Sequence, residues 1–207
     1  MSAAVTVFVV DDNAGVRKAL RALLESAGLT VETYASSEEF LAAYDPERPG
    51  CLVLDVRLRY GSGLDLQDEL RRRKAILPII VLTGHGDVQT SVRALKAGAF
   101  DFLQKPAPPK LLLERVRAAI NSDRQARAMT TERAVVMQRL AHLTPRERDV
   151  LELLVAGQTS KEIAAALRVS VRTVEGHRRR VLSKMDVSSA AQLVGTVLSA
   201  RDSTPRA

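Results

Sequence analysis

Apolar residues along the first half of this chain follow two alternating rhythms. Short runs at Thr6 to Val10, Val31 to Tyr34, Cys51 to Leu54, Ile79 to Leu82 and Phe100 to Leu103 have the length and β-branched character of buried strands. Between them the apolar positions recur every three or four residues, as in Val16, Leu20, Leu23 and Leu24, which is the spacing of an amphipathic helix. Gly28 stands where that helix should end, and Ser36-Ser37-Glu38-Glu39 reads as a capping box opening a second helix through Leu41. Leu64 to Leu70 and Val88 to Ala97 supply two more, and a fifth helix is expected to start near Pro108. Strict alternation of strand and helix predicts a parallel sheet with helices on both faces.

The rhythm changes after Ala107. Leu111, Leu112, Val116 and Ala119 continue the fifth helix, the polar stretch Asn121 to Thr131 reads as a hinge, and Val135, Val136 and Leu140 resume an apolar stripe. No strand signal follows. Thr144-Pro145-Arg146-Glu147 combines an N-cap, a proline at the first helical position and a capping glutamate. Thr159 to Glu162 repeats the capping box, Ser170 caps a third helix carrying Val174, Val181 and Met185 on one side, and Ser189 with Gln192 opens a fourth. The expected division is a first domain at 1–121, a linker helix at 122–141 and a compact four-helix domain at 142–207.

Composition narrows the function. The 207 residues carry a formal +7, and 46% of them are apolar, enough to build cores rather than a disordered basic tail. Aromatics are only 3%, which argues against a base-stacking platform for single strands. A lone cysteine, Cys51, excludes an internal disulfide framework and a multi-cysteine zinc site, and inside an apolar run it reads as a buried small hydrophobe. The opening MSAAVTVFVVDD reads as a first strand rather than a signal peptide, and no segment has the length of a membrane span, so a soluble cytoplasmic protein is expected. The charge is unevenly placed. Residues 1–107 hold 13 basic and 14 acidic side chains, 108–137 hold 6 and 3, and 138–207 hold 12 and 7.

In an open parallel sheet, function collects at the carboxyl ends of the strands. There the chain places Asp11 and Asp12, Asp55, Thr83 and Lys105, one set after each of four apolar runs. Clustered aspartates repel unless a cation joins them, and hard oxygen donors suit Mg²⁺. A carboxylate beside Mg²⁺ and a lysine can act as a nucleophile toward a phosphoryl group. Taken singly, each residue has a plainer reading: Asp11-Asp12 as a helix-capping pair, Asp55 as a loop cap, Lys105 as a solvated lysine. His85 has no cysteine or histidine neighbour and is not expected to bind metal.

The set DD, D, T and KP, each at the end of a successive strand, resembles a two-component response-regulator receiver domain over about residues 4–121. The resemblance implies a flavodoxin-like, doubly wound sheet of five parallel strands. It makes Asp55 the phosphoacceptor and Asp11 and Asp12, with Asp55 and the backbone carbonyl of Arg57, the Mg²⁺ ligands. It makes Thr83 the switch hydroxyl, Lys105 the phosphate-binding lysine and Phe102 the rotating aromatic, a residue otherwise read as core. Lys105-Pro106 is then expected to be a cis peptide. One departure is visible: Arg59 stands where the family usually has proline in the loop after the phosphoacceptor.

The segment Ile163 to Met185 reads helix, short turn, helix, and from Arg168 to Lys184 six basic residues face one acidic, Glu175. With Val174, Val181 and Met185 turned inward, Arg172, Glu175, Arg179 and Ser183 form the opposite face, fit to enter a major groove. The plainer reading is a solvated basic face. The run from Leu143 to Met185 resembles the LuxR-type helix-turn-helix of the NarL/FixJ regulators, which makes Val171–Lys184 a recognition helix. That likeness puts Glu175, Gly176 and Arg179 where base edges are usually read, while Arg172, on the same face by helical spacing, can reach a phosphate or a guanine edge. It makes Lys161, Thr173, His177 and Arg180 phosphate contacts, and it assigns a dimer contact to the last helix.

Together these features predict a phosphorylation-activated, DNA-binding transcriptional regulator rather than an enzyme. A histidine kinase would donate the phosphoryl group, and a homodimer would form on phosphorylation and bind double-stranded promoter DNA. RNA polymerase is a further candidate partner, and no membrane is involved. Two rivals stay open: a phosphatase turning over aspartyl-phosphate, which lacks a second carboxylate placed beside Asp55 as a general acid, and a purely dimerising receiver that is never phosphorylated.

Overall fold

The computed structural model describes residues 4–59, 61–84 and 88–202. The chain divides into two compact units between residues 128 and 129. In the first, the elements run β1 (Thr6–Val10), α1 (Ala14–Ser26), β2 (Thr30–Tyr34), α2 (Ser37–Ala43), β3 (Gly50–Leu54), a small hairpin β4 (Arg57–Leu58) and β5 (Gly61–Ser62), then α3 (Gly63–Arg72), β6 (Ile79–Thr83), α4 (Val88–Lys96), β7 (Asp101–Gln104) and the start of α5 (Pro109–Ala141). The five main strands form one parallel sheet in the order β2-β1-β3-β6-β7. All five apolar runs are strands, within about one residue of the expected bounds.

Every residue of β1, β3 and β6 is buried, as parallel strands covered on both faces must be. Alternate residues serve two cores. Val7, Val9, Cys51, Val53, Ile80 and Leu82 pack with Leu20 and Leu24 of α1 and with Leu112 and Val116 of α5. Phe8, Val10, Leu52, Leu54 and Val81 pack with Phe40 of α2 and with Leu66 and Leu70 of α3. The order reverses between β1 and β3, so their carboxyl ends border the crevice where such sheets place their chemistry.

Two local expectations are corrected. The capping box at Ser36 is only half formed: Ser36 accepts from the Glu39 amide at 3.2 Å, but the Glu39 carboxylate takes the amide of Ala35, one residue before the cap. The stretch 121–131, read as a hinge, is helical throughout, because it holds neither glycine nor proline. Its polarity has another cause. Asp123, 1% exposed, accepts from the Gly50 amide and from Arg127 Nε, and Arg127 also donates to the carbonyls of Pro46 and Arg48, each at 2.9 Å.

The second unit holds the end of α5, then α6 (Pro145–Val155), α7 (Ser160–Leu167), α8 (Val171–Met185) and α9 (Ala190–Asp202). Full capping boxes open α6 at Thr144 and Glu147 and α7 at Thr159 and Glu162. Arg168 takes a left-handed conformation at the end of α7, and Ser170 caps α8 two residues later, which makes the tight turn between them. Val150, Leu151, Ile163, Val174, Val181, Met185, Leu193 and Val197 form the core, with Val136 and Leu140 packed against it.

Candidate functional site

The ends of β1, β3, β6 and β7 bring Asp11, Asp55, Thr83 and Lys105 to one rim. Lys105 Nζ lies 2.6 Å from Asp11 Oδ2 and 2.6 Å from Asp55 Oδ2. Carboxylate oxygens of Asp11, Asp12 and Asp55 all fall within 4.8 Å of one another. Asp11 is buried at 2% exposure, the Asp55 side chain is 11% exposed and Asp12 is open to solvent. Burial works against the Lys105 ammonium, but hydrogen bonds and attraction from Asp11 and Asp55 outweigh it and hold its pKa above the ordinary value.

The backbone fixes this group. The Asp55 amide donates to the Val10 carbonyl and the Lys105 amide to the Thr83 carbonyl, tying neighbouring strand ends together. Asp11 Oδ1 accepts the Asn13 amide at 2.9 Å, and Asn13, not Asp11 or Asp12, caps α1 by accepting from Gly15 and Val16. The sequence reading missed Asn13, whose signal was its place just before the first helical residue. The Arg57 amide donates to Asp55 Oδ1 at 3.2 Å. A Cβ at Gly63 would lie 2.0 Å from the Asp55 carbonyl oxygen, so only glycine lets α3 start so close to the end of β3.

Other expected residues fall as follows. Thr83 is buried, Phe102 is half-buried against the second core, and Lys105-Pro106 is cis. Arg59 is exposed at the end of β4. Tyr60 and His85 lie outside the described residues. Cys51 is fully buried, and burial, aided by Asp123, pushes its thiol up to about 12.

The three aspartates exceed the one ammonium by two charges, and among the described residues Asp12 has no hydrogen bond or ion pair. Hard oxygens with uncompensated charge are the donor set of Mg²⁺, so these residues fit that ion.

The second unit gathers the basic residues on α7 and α8. Lys161, Arg172 and Arg179 are exposed and, among the described residues, make no hydrogen bond or ion pair. Thr173 Oγ1 lies 2.8 Å from the Ser170 hydroxyl, and Arg180 Nη2 lies 3.3 Å from His177 Nδ1. Gly176 has open space: a Cβ there would meet only Arg180, at 3.9 Å. Glu175 is not free, because Ser160 Oγ donates to it and Arg178 lies 3.7 Å away. Lys184, part of the basic run, is turned instead onto Glu147 at 2.6 Å. That contact, with the Thr144 amide, holds the Glu147 carboxyl down at about 2.

Comparison with known proteins agrees with both halves. Residues 7–117 match the response regulator receiver domain, and residues 141–197 match the bacterial regulatory proteins of the luxR family. The chain is 43% identical over 210 residues to the transcriptional regulatory protein FixJ of Azorhizobium caulinodans, covering 99% of this chain and 100% of that one. It is 46% identical to the transcriptional regulatory protein TdiR of Thauera aromatica, covering 93% and 85%. Among solved structures, the response regulator StyR superposes with a TM-score of 0.84 at 41% identity, covering 95% of this chain and 99% of that one. Full-length FixJ from B. japonicum gives 0.58 at 35%, covering 97% and 98%. Such proteins are DNA-binding regulators of transcription, not enzymes, although receiver domains carry a weak phosphatase activity. The pairing implies a sensor kinase upstream and DNA downstream. No described helix is long and apolar enough to cross a membrane. The chain belongs to the NarL/FixJ family of two-component response regulators, which join a receiver domain to a LuxR-type DNA-binding domain.

Proposed function

We propose that a sensor histidine kinase phosphorylates this regulator on Asp55 and that the modified chain binds promoter DNA as a dimer through α8. The observation that carries the reading is Lys105 Nζ bridging Asp11 and Asp55 at 2.6 Å inside a surplus of negative charge. A carboxylate oxygen of Asp55 attacks the phosphorus of the kinase phosphohistidine. The P–N bond breaks, the imidazole leaves with a proton, and an acyl phosphate remains on Asp55. Mg²⁺, held by Asp11, Asp12, Asp55 and the Arg57 carbonyl, supplies positive charge for the phosphoryl oxygens when bound. Lys105 neutralises another oxygen, and Thr83 donates its hydroxyl to a third.

Movement of Thr83 and Lys105 toward the phosphoryl group draws Phe102 inward and reshapes the face of α4, β7 and α5. Val92 and Leu95 on α4 and Phe100 beside β7 are exposed apolar residues on those elements, suited to a homodimer contact. We assign residues 1–121 to the phosphoacceptor domain, 122–141 to a linker helix and 142–207 to the DNA-binding domain, in a cytoplasmic protein that meets RNA polymerase at its promoter. On α8, Arg172, Glu175, Gly176 and Arg179 face the base edges. Lys161, Thr173, His177 and Arg180 contact phosphates. A coupling of about 1–3 kcal/mol changes DNA affinity about 5- to 150-fold. The test compares duplex binding and dimerisation of the parent chain and Asp55→Asn, with and without an acyl phosphate donor and Mg²⁺. A donor response in the parent alone supports the reading, and an equal response in both refutes it.

A further inference from the structure

The acidic residue within the basic helix is held from a different helix. Ser160 is the first residue of α7, set there by the Thr159–Glu162 capping box, in which the Thr159 amide donates to Glu162 Oε2 at 2.7 Å. Its hydroxyl donates to Glu175 Oε1 and accepts from Arg178 Nη1. Arg178 also lies 3.7 Å from Glu175 Oε1. Ser160 thus stands between an anion and a cation spaced three residues apart on α8. One carboxylate oxygen of Glu175 is committed to this cluster. The other, Oε2, has no partner among the described residues, and the side chain is 53% exposed.

We infer that Ser160 is a positioning residue for base recognition: its hydroxyl, with Arg178, orients Glu175 so that Oε2 is aimed as an acceptor at the exocyclic amino group of a cytosine or adenine. The inference rests on the proposal that α8 reads base edges, and it adds a determinant on α7. In the major groove, only cytosine N4 and adenine N6 present a donor to a carboxylate. A freely rotating glutamate would lose side-chain entropy on meeting that donor and would repel nearby phosphates in many of its rotamers. Pinning Oε1 removes much of that loss, and Arg178 offsets the charge without occupying Oε2. Arg178 is therefore spent on orientation, whereas its neighbour Arg179 is unpaired among the described residues and available to the DNA.

The experiment selects binding sites from a pool of duplexes with a randomised core, using the full-length chain with an acyl phosphate donor and Mg²⁺. The parent chain, Ser160→Ala, Ser160→Thr and Glu175→Gln are compared. Ser160→Ala is expected to lose about tenfold discrimination at one base pair, the same pair that Glu175→Gln affects. Ser160→Thr, which keeps the hydroxyl, is expected to retain the preference, and affinity for non-specific duplex is expected to stay within about twofold of the parent in both Ser160 variants. Equal weakening of every duplex by Ser160→Ala overturns the inference, because it marks a structural or phosphate role. A preference lost in Glu175→Gln but kept in Ser160→Ala overturns it while leaving base reading by α8 intact. Absence of any preference in the parent chain overturns the reading of α8 itself.

Discussion

Lys105 in the first unit and Lys184 in the second make the same contact, an ammonium 2.6 Å from a carboxylate that water scarcely reaches. Around Lys184 the charges are nearly matched. Glu147 Oε2 accepts from both Lys184 and the Thr144 amide, and Arg180 lies 3.9 Å from Oε1. Around Lys105 three carboxylates share one ammonium, and Asp12 is left to solvent. The matched cluster ties α6 to α8 and leaves no negative charge for a cation to complete. The unmatched one holds charge that a cation or phosphoryl group can complete. Proximity and burial do not separate these two roles; the residual charge does.

The sharpest break in the comparison is Asp55→Asn, expected to reduce phosphorylation by an acyl phosphate to background, read by intact mass. Glu147→Gln should leave that labelling unchanged. Next, Lys105→Met is expected to lower the donor-induced gain in DNA affinity by about tenfold, while Mg²⁺ still raises the melting temperature by mass action. Lys184→Met should alter neither response. A loss of the donor response in Lys184→Met would mean that the second cluster is not merely structural.

The third expectation concerns acid. The Glu147 carboxyl is lowered from 4.5 to about 2. Its contribution is therefore complete above about pH 4.5 and is lost as pH falls toward about 2. It is worth at most about 3 kcal/mol, less with Lys184 partly open to water. Glu147→Gln should lower the melting temperature of the second unit at pH 7, and the gap to the parent should narrow toward pH 2. A gap independent of pH would contradict the ion-pair account. Smallest, Lys161→Ala should weaken binding to all duplexes alike and reduce the salt slope by about one, whereas Arg179→Ala should mainly relax sequence preference. Both carry unmatched positive charge, so equal effects would merge two roles kept apart here.

The rim was legible because each of its residues ends an apolar run, and a run of five buried residues can be read from composition. Asp123 was not. Its carboxylate pairs with the Gly50 amide 73 positions away, and nothing in a polar stretch signals which aspartate turns inward. The same polarity suggested a hinge where the helix is continuous: charged residues describe what a helix faces, not whether it forms. In the second unit the inward stripe of Val174, Val181 and Met185 follows from helical spacing. The partners of the polar residues do not, since Ser160 and Glu175, or Glu147 and Lys184, meet only after α6, α7 and α8 have packed.

Cys51 has a practical consequence. It is the sole cysteine of the chain, lies fully buried in the central sheet, and its thiol is pushed up to about 12. In the folded protein it is shielded from alkylating reagents, and it becomes accessible when the first unit opens. The second unit contributes no thiol. Timed alkylation therefore clocks the opening of the phosphoacceptor half alone, and a cysteine introduced at an exposed site would label selectively without first replacing Cys51.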